Sequence, residues 1–470
     1  MIELANVSFS YGESATACLE EVSLQVKEGE CVLLCGKSGC GKSTILNLIN
    51  GIIPNHIEGR LEGRVFVNGI EPKDVTIQEL SGTVGSVFQN PKSQFFSLNS
   101  SDELLFACCN HKVPREVMLE RLEETAVTFN MPHLLDRNIF DLSGGEKQKL
   151  ACASVYMNRP KVYVFDEPSA NLDATAIEEL KQVIQTLKAA GHTVLIAEHR
   201  LYYLADLCDR VLYIDEGKVA GRYTRQEFIQ IPDANRQAMG LRMITEPVIE
   251  KRTTNYNYDE PAVKVDTLRS FYGNQLAVDI ENLNLPKNKV IALIGKNGAG
   301  KSTFAASFCG ILKADDDVVD EVKLTRRERV KRSFMVMQDV NHQLFAESVL
   351  DELMLGSEFD DEVKRQEAEA LLEQLNLLPF RDHHPQSLSG GQKQRTAIAS
   401  ALFTGKKYLI FDEPTSGVDL IHMNRVAELI HSVKDKVDLV LVITHDKEFI
   451  NRCCEIIIEL RDGKIISSSN

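Results

Sequence analysis

The stretch Gly36-Lys37-Ser38-Gly39-Cys40-Gly41-Lys42-Ser43 decides the reading of this chain, and Gly295-Lys296-Asn297-Gly298-Ala299-Gly300-Lys301-Ser302 repeats it. The first copy follows an apolar run, Glu30 to Cys35, that reads as a buried strand. It precedes a run, Thr44 to Ile49, that reads as a helix. A glycine-rich turn at that junction lines up backbone N–H groups at the positive end of a helix dipole, and so wraps phosphate. Lys42 and Lys301 are expected to reach the outer phosphates of a bound nucleotide, and the Ser43 and Ser302 hydroxyls to bind Mg2+. Gly36, Ser38, Gly39, Gly41 and Thr44 complete the first candidate loop; Gly295, Asn297, Gly298, Gly300 and Thr303 complete the second.

Further motifs recur in the same order. Leu142-Ser143-Gly144-Gly145-Glu146 is echoed by Leu388-Ser389-Gly390-Gly391-Gln392, Val164-Phe165-Asp166-Glu167-Pro168 by Ile410-Phe411-Asp412-Glu413-Pro414, and Glu198-His199 by Thr444-His445. From Ser143 to Glu167 is 24 positions, as from Ser389 to Glu413, and each glutamate precedes its histidine by 32. A repeat this long is a duplicated domain, not a solenoid. Asp166 and Asp412 end apolar strands and are expected to hold the Mg2+ shell. Glu167 and Glu413 follow directly and are candidates to polarise an attacking water. Ser143 and Ser389, each followed by two glycines, open expected helices where backbone and hydroxyl can meet a phosphate.

The 470 residues allow two or three domains, each half being large enough for its own core. A hydrophobic fraction of 43% and a charged fraction of 26% are ordinary for a globular protein. The net charge of −15 argues against a nucleic-acid binder. No run of 18 apolar residues and no basic-then-apolar start suggests a membrane span or a signal peptide. The eleven cysteines show no C-x-x-C spacing and read as reduced thiols packed as small apolar residues. Cys40, beside Lys42 and a helix start, is the exception: its thiol is expected to have a lowered pKa and to react.

The first domain is expected over residues 1–225, a polar linker over 226–261 with a short helix near Asp233–Leu241, and the second domain over 262–470. Within each half, strands alternate with helices, as in Val162 to Phe165, Ala176 to Ala189 and Thr193 to Ala197. That order implies an α/β fold with a parallel sheet covered on both faces. Lys42 to Gln89 is 47 positions, but Lys301 to Gln338 only 37, so the second half is expected to lack the strand and turn GRLEGRVFVNG.

With the serine-glycine-glycine motif in place, both halves resemble the ATPase domains of ABC transporters. The resemblance implies two P-loop domains, each with a RecA-like sheet core, an antiparallel β subdomain and a helical signature subdomain. It implies ATP and Mg2+ as cofactors, with the halves pairing within one chain. Ser389, Gly390 and Gly391 would then complete the ATP site of Lys42 and Glu167, and Ser143, Gly144 and Gly145 that of Lys301 and Glu413. It also implies γ-phosphate contacts for His199 and His445, Mg2+-sensing roles for Gln89 and Gln338, and a crossing loop at Asp173 and Asp419. Tyr11, and less regularly Tyr272, match the position that stacks on adenine. Both halves keep every one of these hydrolytic residues, so both sites are expected to be active.

Phe88-Gln89-Asn90-Pro91-Lys92-Ser93-Gln94-Phe95-Phe96 and Met337-Gln338-Asp339-Val340-Asn341-His342-Gln343-Leu344-Phe345 carry a second glutamine five residues after the first. This looks like the energy-coupling-factor importers. In these, the ATPase sits on the cytoplasmic face of the membrane and drives a transmembrane scaffold. The scaffold serves a separate membrane subunit that binds a vitamin, a precursor or a metal ion. Asp102-Glu103-Leu104-Leu105 and Asp351-Glu352-Leu353-Met354 are expected to line grooves for the scaffold, although acids at a helix start also suit its dipole. The alternatives are a soluble tandem ATPase acting on ribosomes or nucleic acid, and a sugar-importer ATPase. The acidic composition and the short linker weigh against the first, and the intact second site against the other.

Overall fold

The computed structural model describes residues 2–12, 17–170, 172–250, 261–272, 275–313, 316–319, 324–355 and 362–466. Contacts divide the chain into two compact units, 1–246 and 247–470. In the first unit the strands are β1 (Ile2–Tyr11), β2 (Leu19–Val26), β3 (Cys31–Gly36), β4 (Gly59–Val67), β5 (Val84–Val87), β6 (Val162–Asp166), β7 (Thr193–Ala197), β8 (Arg210–Asp215) and β9 (Lys218–Thr224). They form a six-stranded sheet in the order β5-β6-β7-β3-β8-β9 and a three-stranded sheet in the order β2-β1-β4. All neighbours in the larger sheet are parallel except β8 and β9. Every residue of β3 and β7 is buried, as a sheet covered on both faces requires. One cover is the helix Ala174–Ala189, whose Ile177, Leu180, Ile184 and Leu187 recur at helical spacing and are buried in the core. The smaller sheet is antiparallel throughout.

The second unit repeats the plan. Its strands are β10 (Pro261–Tyr272), β11 (Gln275–Pro286), β12 (Val290–Ile294), β13 (Asp316–Val319), β14 (Ser333–Val336), β15 (Tyr408–Asp412), β16 (Leu439–Ile443), β17 (Ile456–Arg461) and β18 (Lys464–Ile466). The orders are β14-β15-β16-β12-β17-β18 and β11-β10-β13. The strand expected to be missing is therefore kept. It is β13, four residues instead of the nine of β4, antiparallel to β10. The shorter spacing removed length from a β-sheet edge, which pairs at any length, and not the strand itself.

Each unit also carries a helical part. In the first it comprises Ser100–Asn110, Arg115–Thr128 and Gly144–Tyr156; in the second, Val349–Met354, Glu362–Gln374 and Gly390–Phe403. The second has an apolar cluster of its own, with Leu353, Leu372, Leu375 and Leu377 fully buried.

The domain boundary differs from the sequence expectation. Most of the anticipated linker belongs to the first unit, which runs to Glu246. Phe228, Leu241 and Ile244 are buried in its core, and the anticipated short helix is Asp233–Ala238. Three apolar side chains in a polar stretch are enough to fasten it, and averaging over the stretch concealed them. On the other side, the Asn451 side chain hydrogen-bonds the backbone at Val248 and Glu250, and Ile249 packs on the second unit's core. Residues 251–260 of the expected linker lie outside the described residues.

Candidate active site

Topology assembles the site. β5, β6, β7 and β3 are adjacent and parallel, so their carboxyl ends lie side by side. The segments leaving those ends carry Gln89, Asp166 with Glu167, His199, and the glycine-rich loop. In the second unit β14, β15, β16 and β12 deliver Gln338, Asp412 with Glu413, His445, and the second loop in the same way. The crevice beyond the carboxyl ends of parallel strands is where α/β folds bind ligands.

The glycines of the loops are of two kinds. Gly36 has φ 152° and Gly295 151°. A β-carbon would overlap the Ile214 carbonyl oxygen in the first case and the Leu460 carbonyl oxygen in the second. Gly41 and Gly300, at φ 105° and 98°, start the helices Lys42–Ile49 and Lys301–Phe308 with the backbone in the left-handed region. Gly39 and Gly298 share φ 79° but face open space. Lys42 and Lys301 are buried. The Lys42 ammonium donates to the carbonyls of Gly36 (3.1 Å) and Lys37 (2.9 Å) and lies 3.4 Å from His199 Nε2. Lys301 donates to Gly295 (2.8 Å) and Lys296 (3.0 Å) in the same manner.

The acids converge on these loops. Ser43 Oγ donates to Asp166 Oδ1 at 3.0 Å. Burial, and next the charge of Glu167, push the Asp166 carboxyl up to about 6. Burial likewise raises Asp412, against a hydrogen bond from Ser302 and the charge of Lys301. A desolvated carboxylate beside a hydroxyl is a hard-oxygen pair that gains from a divalent cation, so the donor set fits Mg2+. Glu167 and Glu413 follow with φ 46° and 50°, a left-handed backbone unusual for glutamate. Glu167 accepts from Gln89 Nε2 (2.9 Å) and faces His199 Nε2 (3.2 Å). Glu413 accepts from Thr444 Oγ1 (3.1 Å), with His445 Nε2 at 3.8 Å. Ser38 Oγ lies 3.4 Å from His199 Nε2, and Asn297 Oδ1 lies 3.1 Å from His445 Nε2. Gln338 is exposed and Thr303 half-buried.

Tyr11, at the end of β1, is part-exposed, and its hydroxyl shares a 2.7 Å hydrogen bond with Thr44. Its ring therefore stands beside the helix that follows the loop. Tyr272 ends β10, and its side chain lies outside the described residues. Ser143 and Ser389 cap the helices Gly144–Tyr156 and Gly390–Phe403 through reciprocal bonds with Glu146 and Gln392. Gly144 and Gly390 are exposed in the first turns, and Gly145 and Gly391 half-buried. The crossing-loop residues Asp173 and Asp419 are buried, each capping the helix that follows.

Two expectations need correction. Cys40 is buried, and burial pushes its thiol up, outweighing the opposing pull of Lys42. The anticipated reactive thiol is absent because desolvation of a thiolate exceeds the benefit of one nearby ammonium. The acids expected to line open grooves divide. Asp102 is exposed and Asp351 half-buried, but Glu103 and Glu352 are buried. Glu103 Oε2 accepts from the backbone N–H of Phe96 (2.9 Å) and Ser97 (2.8 Å). Glu352 does the same for Phe345 (2.8 Å) and Ala346 (2.9 Å). The second glutamines are staples too. Gln94 bridges Phe88 N–H and the Ser86 carbonyl, and Gln343 bridges Met337 N–H and the Met335 carbonyl. These roles escaped sequence reading, as did the pairing of Lys37 with Asp215 at 3.1 Å. The matched offset of Glu103 and Glu352 was the available signal.

Comparison with known proteins agrees with this geometry. The family model described as "ABC transporter" matches residues 19–170 and 278–416. A "Putative ABC transporter ATP-binding protein" of Treponema denticola is 41% identical over 99% of this chain and 96% of its own. The "Putative HMP/thiamine import ATP-binding protein YkoD" of Bacillus subtilis is 31% identical over 98% of this chain and 90% of its own. A chain in the structure "Model of ribosome-bound archaeal Pelota and ABCE1" matches with TM-score 0.70 at 24% identity, over 98% of this chain and 78% of that one, a likeness of fold. With both halves matched and relatives aligned over nearly their whole length, the chain belongs to the ABC transporter family, as a tandem ATP-binding protein that hydrolyses ATP with Mg2+.

Proposed function

We propose that this chain is the ATPase of an energy-coupling-factor type importer, working at the cytoplasmic face of the membrane on a transmembrane scaffold and a small-molecule-binding membrane subunit. In each half the loops would bind ATP through Lys42 and Lys301, with Mg2+ held by Ser43, Asp166 and Gln89, or Ser302, Asp412 and Gln338. Glu167 and Glu413 would polarise the attacking water, and His199 and His445 contact the γ-phosphate. Ser389 and Gly391 would serve the Lys42 site, and Ser143 and Gly145 the Lys301 site. ATP binding would close the halves, and hydrolysis with phosphate release would reopen them.

One observation carries the importer reading. In both halves a buried glutamate and a stapling glutamine fix the segment after the first glutamine, and each segment holds an aromatic ring in solvent. Phe96 is 75% exposed and Phe345 76%. Rings held out in both halves shortly after the first glutamine, which in the first half meets Glu167 at 2.9 Å, suit a mechanical contact with a membrane partner. Among the described residues no helix is long and apolar enough to cross a membrane, so that partner would be a separate chain. The relative named for HMP/thiamine import is in keeping with uptake of a small molecule.

The test is purification from detergent-solubilised membranes with Glu167→Gln, Glu413→Gln and ATP present, followed by mass spectrometry. A scaffold with small, very apolar membrane proteins is expected, and Phe96→Asp with Phe345→Asp should release them. Ribosomal proteins in their place would overturn the importer reading.

A further inference from the structure

The two halves fasten the histidine loop to the glutamate loop by different chemistry. In the first half the buried Glu198 precedes His199. Its Oε1 accepts from the backbone N–H of His199 (2.9 Å) and Arg200 (3.1 Å). Its Oε2 accepts from Ser169 N–H (3.3 Å) and the Tyr203 hydroxyl (3.0 Å). Ser169 lies two residues beyond Glu167, so one carboxylate ties the loop after β6 to the loop after β7. Arg200 adds hydrogen bonds from Nη1 to the carbonyls of Ser169 (3.3 Å) and Leu172 (3.2 Å).

In the second half, 246 positions on, the counterparts are Thr415, Thr444, Asp446 and Phe449. The acid has moved two residues along. Asp446 Oδ2 accepts from the Thr415 hydroxyl at 3.1 Å, tying the same two loops. Asp446 Oδ1 also caps the helix Lys447–Cys453 through Phe449 N–H (3.2 Å). With no acid at 444 there is no hydroxyl at 449, where phenylalanine stands in place of Tyr203. The position before the histidine is then free for a threonine, whose hydroxyl donates to Glu413 itself at 3.1 Å.

We propose that Glu198-His199-Arg200 with Tyr203, and Thr444-His445-Asp446 with Phe449, are exchangeable fastenings that place the two hydrolytic glutamates under different control. Glu198 is a positioning residue that acts on Glu167 and His199 through their loops. Thr444 is a positioning residue that orients Glu413 directly. This rests on the reading of Glu167 and Glu413 as the groups that polarise water.

The test is ATP hydrolysis by the full chain, with kcat and KM measured separately alongside thermal unfolding. The first half is followed with Glu413→Gln present and the second with Glu167→Gln present. If either substitution alone stops turnover, the centres are obligatorily coupled and the same comparisons are made on the otherwise unaltered chain. Glu198→Thr and Arg200→Asp should each lower kcat about tenfold with little change in KM, since hydrogen bonds to a charged group are lost. The combination Glu198→Thr/Arg200→Asp/Tyr203→Phe rebuilds the second fastening and should recover most of that loss. Thr444→Val should lower kcat about tenfold with KM unchanged, and Thr444→Ser should stay within roughly twofold of the parent. A combined variant no faster than its slowest single component overturns the exchange. Equal rates for Thr444→Val and Thr444→Ser overturn the role of the hydroxyl. Should the single substitutions unfold the first half, recovered folding without recovered kcat in the combined variant also counts against the proposal. Full hydrolysis by Glu167→Gln/Glu413→Gln would instead discard the underlying reading and leave the loop exchange to be judged on the recovery.

Discussion

At the scale of single residues, conformation and clearance separate side chains that look alike in sequence. Gly36 and Gly39 belong to one loop, but only Gly36 has a carbonyl oxygen where a β-carbon would go. Gly39→Ala should cost about 1–2 kcal/mol, the expense of a left-handed backbone alone. Gly36→Ala adds about 1–3 kcal/mol of overlap and displaces the loop, so nucleotide binding should be lost there and only weakened at Gly39. Titration with a fluorescent ATP analogue checks the difference. The cysteines give a second contrast. All eleven thiols are free, and Cys109 is exposed while Cys40 is buried with its pKa raised. Brief alkylation at neutral pH should label Cys109 first and leave Cys40 nearly untouched, as peptide mapping would record. Prominent early labelling of Cys40 would contradict the burial argument.

At the scale of elements, the segment 226–246 is part of the first unit because Phe228, Leu241 and Ile244 enter its core. Phe228 is fully buried. Phe228→Ala should destabilise the first unit by about 3–5 kcal/mol, the usual cost of emptying a buried aromatic site. Urea unfolding followed by limited proteolysis would assign the weakened transition to residues 1–246, whereas a free linker would tolerate the change. The strand pair β4 and β13 makes a related point. Residue spacing foretold a difference between the halves, but an edge strand can shorten and still pair, so its survival was not legible in a count of residues.

At the scale of the whole molecule, each half carries its own copy of the proposed hydrolytic glutamate, so that assignment is tested by changing both. Glu167→Gln with Glu413→Gln should lower ATP turnover by about 100-fold or more while ATP still binds, because the loops and lysines are untouched. Turnover within tenfold of the parent would refute the assignment of these carboxylates. The duplication, the order of motifs and the α/β class were all readable from the chain, because each depends on local residue types at fixed spacing. Glycine-rich loops, apolar strands ending in acids and helix starts at serine are short-range features that the backbone obeys wherever they occur. Even the meeting of loop, acids and histidine could be anticipated, since parallel strands deliver their carboxyl ends to one edge.

Tertiary structure alone decided what the remaining polar side chains do. Glu103 and Glu352 read as groove-lining acids at helix starts, and Gln94 and Gln343 as the mark of a family resemblance, until folding turned all four onto backbone N–H and carbonyl groups. Cys40 read as reactive until burial removed the solvent that a thiolate needs. Glu198 and Asp446 occupy different positions in their tripeptides yet tie the same pair of loops. Such roles depend on desolvation and on hydrogen bonds across long stretches of sequence. Residue type sets which bonds a side chain can make, but only the surrounding packing sets which of them it keeps.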